Sequence, residues 1–259
     1  MAISPAGVRD ERVRQLGGDE EDSPWMVSTE LHLSIVTALI QGLSRFLATQ
    51  PGPWHAGGEV FVIYGPAAGD HVAPDVYAAP VEDYPRDTDV VAEEGLFPPL
   101  VVEVISSSSW TRDTTEKVVL YDLLGAEEYV LFDPTHEAAR RTPAGVVVPP
   151  RLWGYRRDGQ GAWRPWPVEE DGSLRSAVLG GVRLRPEDRY LRVLTPAGTP
   201  VPFTDELDEA LATAEEALTT AEQARQAAEQ ARQREQDARQ AAEQEVVRLR
   251  DELRRHGLA

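Results

Sequence analysis

The 259-residue chain has no cysteine, a single lysine and no long apolar run. The missing cysteines exclude a disulfide framework and thiolate metal sites, and leave the redox compartment open. No segment approaches the roughly 20 apolar residues that a membrane span needs. The N-terminal MAISPAGVRDERVRQ lacks the apolar core of a secretory signal. The expected location is therefore the cytoplasm, with no membrane partner. Positive charge is scarce as well: Lys+Arg 26 against Asp+Glu 44 gives a formal net charge of -18. Such a surface repels polyanions as a whole, so a nucleic-acid partner must be met by a local basic patch or through a metal ion.

All but one of the 26 basic residues are arginine, the exception being Lys117. Arginine is a flat fork that stays protonated, whereas lysine carries a compact ammonium whose pKa moves readily on desolvation. A small donor beside a metal-bound water or a phosphate oxygen favours lysine. Compositional drift toward arginine accounts equally well for its rarity, so the neighbouring residues have to decide.

Residues 1–24 are charged and glycine-containing, and are expected to form a flexible tail. From Ser28, a fair N-cap, Leu31, Ile35, Leu39, Leu43 and Leu47 recur at four-residue spacing and predict a helix that ends at Gln50-Pro51-Gly52. Short strands bounded by Gly and Pro are expected at 59–64, 72–78, 100–105, 129–132 and 146–148. The segments 151–156 and 163–167 read as a hairpin. A second helix, 114–124, should open on Asp113 as N-cap and close on Gly125. Helix, strands, then a helix inserted before another strand predict a mixed α/β (α+β) domain over residues 25–194.

Residues 195–204, rich in Pro, Gly and Thr, read as a linker. Beyond it, residues 205–257 carry a seven-residue repeat without Gly or Pro until Gly257. With Leu207 and Ala210 as the first a/d pair, an alanine seam runs to Leu249, interrupted by Glu235, Glu245 and Glu252. This predicts a long helix forming a coiled coil, and hence a homo-oligomer, of undetermined strand number and direction. A solitary solvated helix is the alternative.

The chemistry-bearing residues concentrate between Pro98 and Pro134. Glu103 is the one acid in the apolar run 100–105, and a buried carboxylate is costly unless paired or bound to metal. Asp75, beside Pro74, places a second acid on another apolar segment. Two such acids and a following lysine suit a hard cation such as Mg²⁺, which keeps several waters. Ser106–Ser109 lack an accompanying histidine and read as a loop rather than a nucleophile. Arg140, Arg141, Arg151, Arg156, Arg157 and Arg164 are expected either to face phosphate or to decorate strand edges.

Taken together, Pro74-Asp75, the segment Glu103-Val104-Ile105-Ser106, then Asp113, Lys117, Tyr121, Glu128-Tyr129 and Asp133-Pro134 resemble the Uma-two family of the PD-(D/E)XK nuclease superfamily. The likeness runs from about Leu31 to Leu191. It implies a restriction-endonuclease-like core with a mixed sheet flanked by helices, acting on DNA with Mg²⁺ or Mn²⁺. By the resemblance Asp75 and Glu103 bind the metal, helped by the Val104 carbonyl, and Lys117 assists the attacking water. The superfamily's usual lysine position is occupied here by Ile105, and the resemblance moves that role to the next helix. Tyr121, Glu59 and His32 are accessory candidates, and Asp113 is read as a cap. The hairpin that commonly precedes the first helix in the family is replaced by Gly17–Trp25. A catalytically idle nuclease-like module working through its coiled coil remains the alternative, and hydrolysis of RNA or a modified nucleotide is a third reading.

Overall fold

The computed structural model describes residues 29–65, 70–81, 88–90, 96–106, 109–135 and 151–255. The expected tail 1–24, the strand 146–148, Arg140 and Arg141 lie outside them. The first helix, α1 (Glu30–Leu47), is capped by Thr29, whose hydroxyl accepts the His32 N–H at 3.1 Å. Ser28, the expected cap, lies outside the described residues, and Thr29 opens the helix. Its buried stripe (Ile35, Val36, Leu39, Leu43, Phe46 and Leu47) follows the spacing in the sequence.

Twelve strands follow among the described residues: β1 (His55–Gly57), β2 (Phe61–Ile63), β3 (His71–Val72), β4 (Val76–Ala79), β5 (Thr88–Val90), β6 (Leu100–Val104), β7 (Glu128–Phe132), β8 (Leu152–Arg157), β9 (Trp163–Pro165), β10 (Leu174–Arg175), β11 (Arg183–Glu187) and β12 (Tyr190–Leu194). Six form a mixed sheet in the order β1-β4-β6-β7-β8-β9. In it β6 and β7 run parallel and the other neighbours antiparallel. A parallel pair needs a crossover, and helix α2 (Lys117–Leu124) supplies it. The expected single strand 72–78 is two strands in different sheets, broken at Ala73-Pro74-Asp75. Pro74 has no N–H to offer a ladder.

The side chains of β6 alternate between two layers. Leu100, Val102 and Val104 face the layer that holds the α1 stripe, while Val101 and Ile105 face the one that holds Leu120, Tyr121 and Leu124 of α2. Period-two alternation puts Glu103 with Val101, on the α2 side. The α2 segment starts earlier than expected, with helical residues from Trp110 and a π-helical stretch at Arg112–Glu116. It ends at Gly125, whose φ of 96° is the left-handed cap position that glycine adopts without strain.

Strands β10, β11 and β12 form an antiparallel sheet that sequence periodicity did not reveal. Glu128, fully buried at the start of β7, ties the two sheets together. It accepts hydrogen bonds from the Ser176 hydroxyl at 2.5 Å and the Ala177 N–H at 2.7 Å. Glu128→Ala should strand both donors and cost about 3 kcal/mol. The expected result is a lower urea midpoint with an unchanged denaturant slope.

The segment read as a linker folds back instead. Val201 N–H donates to Val193 at 2.9 Å, and Leu194 bridges Pro200. The compact unit ends at Phe203, and a second unit begins with helix α3 (Thr204–Arg255) of 52 residues. Among the described residues, no helix is long and apolar enough to cross a membrane.

Candidate active site

Asp75 lies one residue before β4. In the antiparallel register that pairs Val76 with Val102, it falls opposite Glu103. Its Oδ2 accepts the Val104 N–H at 2.6 Å, and its Oδ1 lies 3.2 Å from His32 Nε2. Three elements thus fix this carboxylate: the β4 entry, β6 and the first turn of α1. Gly58 contributes by being small. A Cβ there would stand 2.0 Å from the Asp75 carbonyl oxygen, so Gly58→Ala must displace the acid.

Glu103 is 1 % exposed. Its Oε1 accepts the Tyr121 hydroxyl at 2.6 Å and lies 3.1 Å from Lys117 Nζ. Lys117 is itself buried, and its Nζ is also 3.3 Å from Asp113 Oδ1, four residues earlier. Residues at i and i+4 share a helix face. That face, carrying Asp113, Lys117 and Tyr121, is directed at Glu103.

Asp113 is not the helix cap that the sequence suggested. Its N–H donates to the Ser109 carbonyl within the turn, and its side chain is buried beside Lys117. Tyr129 donates its hydroxyl to the Asp113 carbonyl at 2.9 Å, holding this turn from β7. The i,i+4 spacing to Lys117 was the signal in the sequence that marked Asp113 as more than a cap.

The charges are unbalanced. Asp75, Glu103 and Asp113 gather around one lysine and one histidine. Burial pushes Glu103 well above the ordinary glutamate range; Lys117 opposes this, and the charges of Asp75 and Asp113 add to the rise. Asp113 is raised for the same first reason, burial. Burial also works against the Asp75 charge, but His32, Lys117 and the Val104 N–H outweigh it and hold that carboxyl below its ordinary value. Burial disfavours the His32 imidazolium, yet Asp75, then Glu59 and Asp113, prevail and raise it.

Glu59 is exposed in a bend two residues before β2 rather than at the start of a strand, with φ 55°. Its charge reaches His32, and its N–H donates to the Pro74 carbonyl at 2.9 Å. In an extended strand a residue's N–H and C=O leave on the same edge, so the Val104 carbonyl opens on the edge that carries Asp75. Ser106 and Ser109 hydrogen-bond to each other in a loop.

Four of the arginines expected to cluster around the later strands, Arg151, Arg156, Arg157 and Arg164, are engaged within the fold. Arg157 binds the Ala126 and Asp122 carbonyls and pairs with Asp122, Arg164 pairs with Asp158, and Arg151 donates to the Asp188 carbonyl. Arg156 stacks over Trp166, 5.2 Å from its ring centre. They support strand edges and turns rather than presenting a ready phosphate patch.

Among the described residues, no three His, Asp or Glu side chains form a ready metal cage. The donor set is nonetheless of the right kind for a hard cation: two facing carboxylates, a backbone carbonyl and surplus negative charge.

The family model of Uma2, described as "Putative restriction endonuclease", matches residues 24–187. The chain belongs to the Uma2 family. Asp75, Glu103, Asp113, Lys117 and Tyr121 all lie within the matched segment, and α3 lies beyond it. A search of curated proteins finds no match to this Uma2 chain. Among solved structures, it is similar to a "putative nuclease belonging to DUF820" from Anabaena variabilis ATCC 29413. That likeness has 15% sequence identity and a TM-score of 0.44, and covers 64% of this chain and 83% of the other.

Proposed function

We propose that this Uma2 protein is a Mg²⁺-dependent endonuclease, also served by Mn²⁺, that hydrolyses DNA phosphodiester bonds. The observation that carries the reading is the meeting of the half-buried Asp75 with the buried Glu103 and Lys117, from three separate segments of the fold. Asp75, Glu103 and the Val104 carbonyl are the residues that would hold the cation. When bound, it supplies a Lewis acid that lowers the pKa of water and offsets charge at phosphorus. Lys117 donates from its ammonium to the attacking water or to the charge developing on the phosphoryl oxygens. Asp113 and Tyr121 hold Lys117 and Glu103 in place, and His32 orients Asp75. The chain also self-associates through residues 205–257.

The test incubates the purified chain with supercoiled, linear and single-stranded DNA, and with RNA, in the presence of Mg²⁺ or Mn²⁺. Asp75→Ala is expected to lose cleavage together with any rise in Tm on adding the metal. Cleavage that persists in this variant overturns the site. An absence of cleavage and of a metal-dependent Tm rise in the unmodified chain favours the idle assembly module. The net charge of -18 is the observation on that side.

A further inference from the structure

We infer that α3 pairs with α3 of a second copy of this chain in antiparallel orientation. This rests on the reading that residues 205–257 self-associate, and adds direction, register and charge logic. The exposed large side chains of α3 include Leu207, Leu211, Leu218, Val246 and Leu249. Leu207 and Leu249 lie on the Leu207/Ala210 seam, but Leu211, Leu218 and Val246 each lie one residue beside it. Spacings of four, three and four join Leu207, Leu211, Ala214 and Leu218, and spacings of four and three join Ala242, Val246 and Leu249. Alternating steps of this kind keep one stripe facing a partner helix. Continued in the same alternation, the stripe between the two blocks runs through Ala221, Arg225, Ala228, Arg232, Glu235 and Arg239, with Glu235 as its one acid.

The two blocks are complementary when the helices run oppositely. Leu211 then meets Leu249, Ala214 meets Val246, and Leu218 meets Ala242, so that a large residue faces a small one in two of the three layers. Glu235 falls opposite Arg225. Parallel pairing stacks Ala214 on Ala214 and Ala242 on Ala242, and sets Glu235 against Glu235 and Arg225 against Arg225, leaving thin alanine layers and like-charge layers.

Charge along the helix points the same way. From Asp205 to Glu222 every ionisable residue is acidic, and the first basic one is Arg225. Toward the other end Arg239, Arg248, Arg250, Arg254 and Arg255 slightly outnumber Glu243, Glu245, Asp251 and Glu252, so the acidic excess lies at the N-terminal end. Parallel pairing lays the acidic block on its own copy, whereas antiparallel pairing lays it against the arginine-bearing end. Like charges along a pairing seam disfavour that alignment.

The absence of cysteine makes the test direct. Thr213→Cys and Gln230→Cys, each in the full chain, place one spin label on the side of α3 away from the stripe. In the antiparallel register, label 213 and its copy stand about 34 residues apart along the axis. At roughly 1.5 Å per residue this is about 50 Å. Position 230 lies beside the twofold axis, giving a separation under about 25 Å with ordinary interhelical spacing. The expected electron-electron distances are therefore long at 213 and short at 230. Short distances at both overturn the antiparallel pairing while self-association stands. A monomer mass by light scattering, with no dipolar signal at either position, overturns both.

Discussion

Lys117→Arg is expected to fold, to keep its metal-dependent rise in Tm, and to cleave DNA about 10²–10³-fold more slowly, the usual cost of removing one preorganised donor from a developing charge. The Lys117 ammonium lies 3.1 Å from Glu103 and 3.3 Å from Asp113, and the residue is 6 % exposed. An arginine keeps the charge that these acids require. Its planar fork binds the two carboxylates broadside, and it has no compact donor left to aim at a water or a phosphoryl oxygen. Lys117→Ala should behave differently. It leaves Glu103 and Asp113 buried without their common cation, a loss of about 3–5 kcal/mol for a broken buried pair. Urea unfolding separates the two variants, because only the alanine protein should shift its midpoint strongly. If the arginine variant cleaves at the unmodified rate, Lys117 serves as a structural counter-charge and not in the chemistry.

The elements that hold this lysine were legible to different degrees. The β6 run LVVEV announces a strand buried on both faces because only Glu103 interrupts it, and α1 announces itself through its leucine spacing. Asp75 was harder. Residues 72–78 read as one strand, yet Pro74 splits them between two sheets and leaves Asp75 at the entry to β4, where both α1 and β6 can reach it.

Asp113 was misjudged because an acid just before a helical pattern has the same local signature whether it caps the helix or lies inside an early π-helical turn. The difference depends on Lys117 and Ser109 and so on packing. Strands β10–β12 escaped notice for a related reason. Their apolar positions, Leu174, Leu184, Leu191 and Val193, are separated by arginines and turns, and they gain strand character from pairing with each other and from the Glu128 staple. His32 lacked any local cue, since its partner lies 43 residues away.

Glu103→Gln should stabilise the metal-free protein at pH 8 while abolishing cleavage. In the folded protein the Glu103 carboxyl holds its proton well above the ordinary glutamate range, chiefly because it is buried. The native state therefore binds a proton that the unfolded chain releases, and stability falls as pH rises from the ordinary glutamate value through the raised one. Asp113, also raised, adds a slope of the same sign, and this slope should remain in the variant. Asp75 acts in the opposite sense and at lower pH. Its carboxyl is held down, so its contribution is present above the ordinary aspartate value and is lost as pH falls through the lowered one. Glutamine keeps an acceptor for the Tyr121 hydroxyl and removes the repulsion among the three acids.

With EDTA present, the variant's Tm should exceed that of the unmodified chain at pH 8, by about 2–4 °C for each kcal/mol relieved. The two should converge near the ordinary glutamate pKa, where both carry a neutral side chain. Adding Mg²⁺ or Mn²⁺ should raise the Tm of the unmodified chain, more so at high pH where binding competes with fewer protons, and leave the variant unmoved. A variant that is less stable at pH 8 would instead make Glu103 an ionised structural partner of Lys117. A gain in stability coupled to a loss of activity marks a carboxylate kept at an energetic cost for the cation it is proposed to bind.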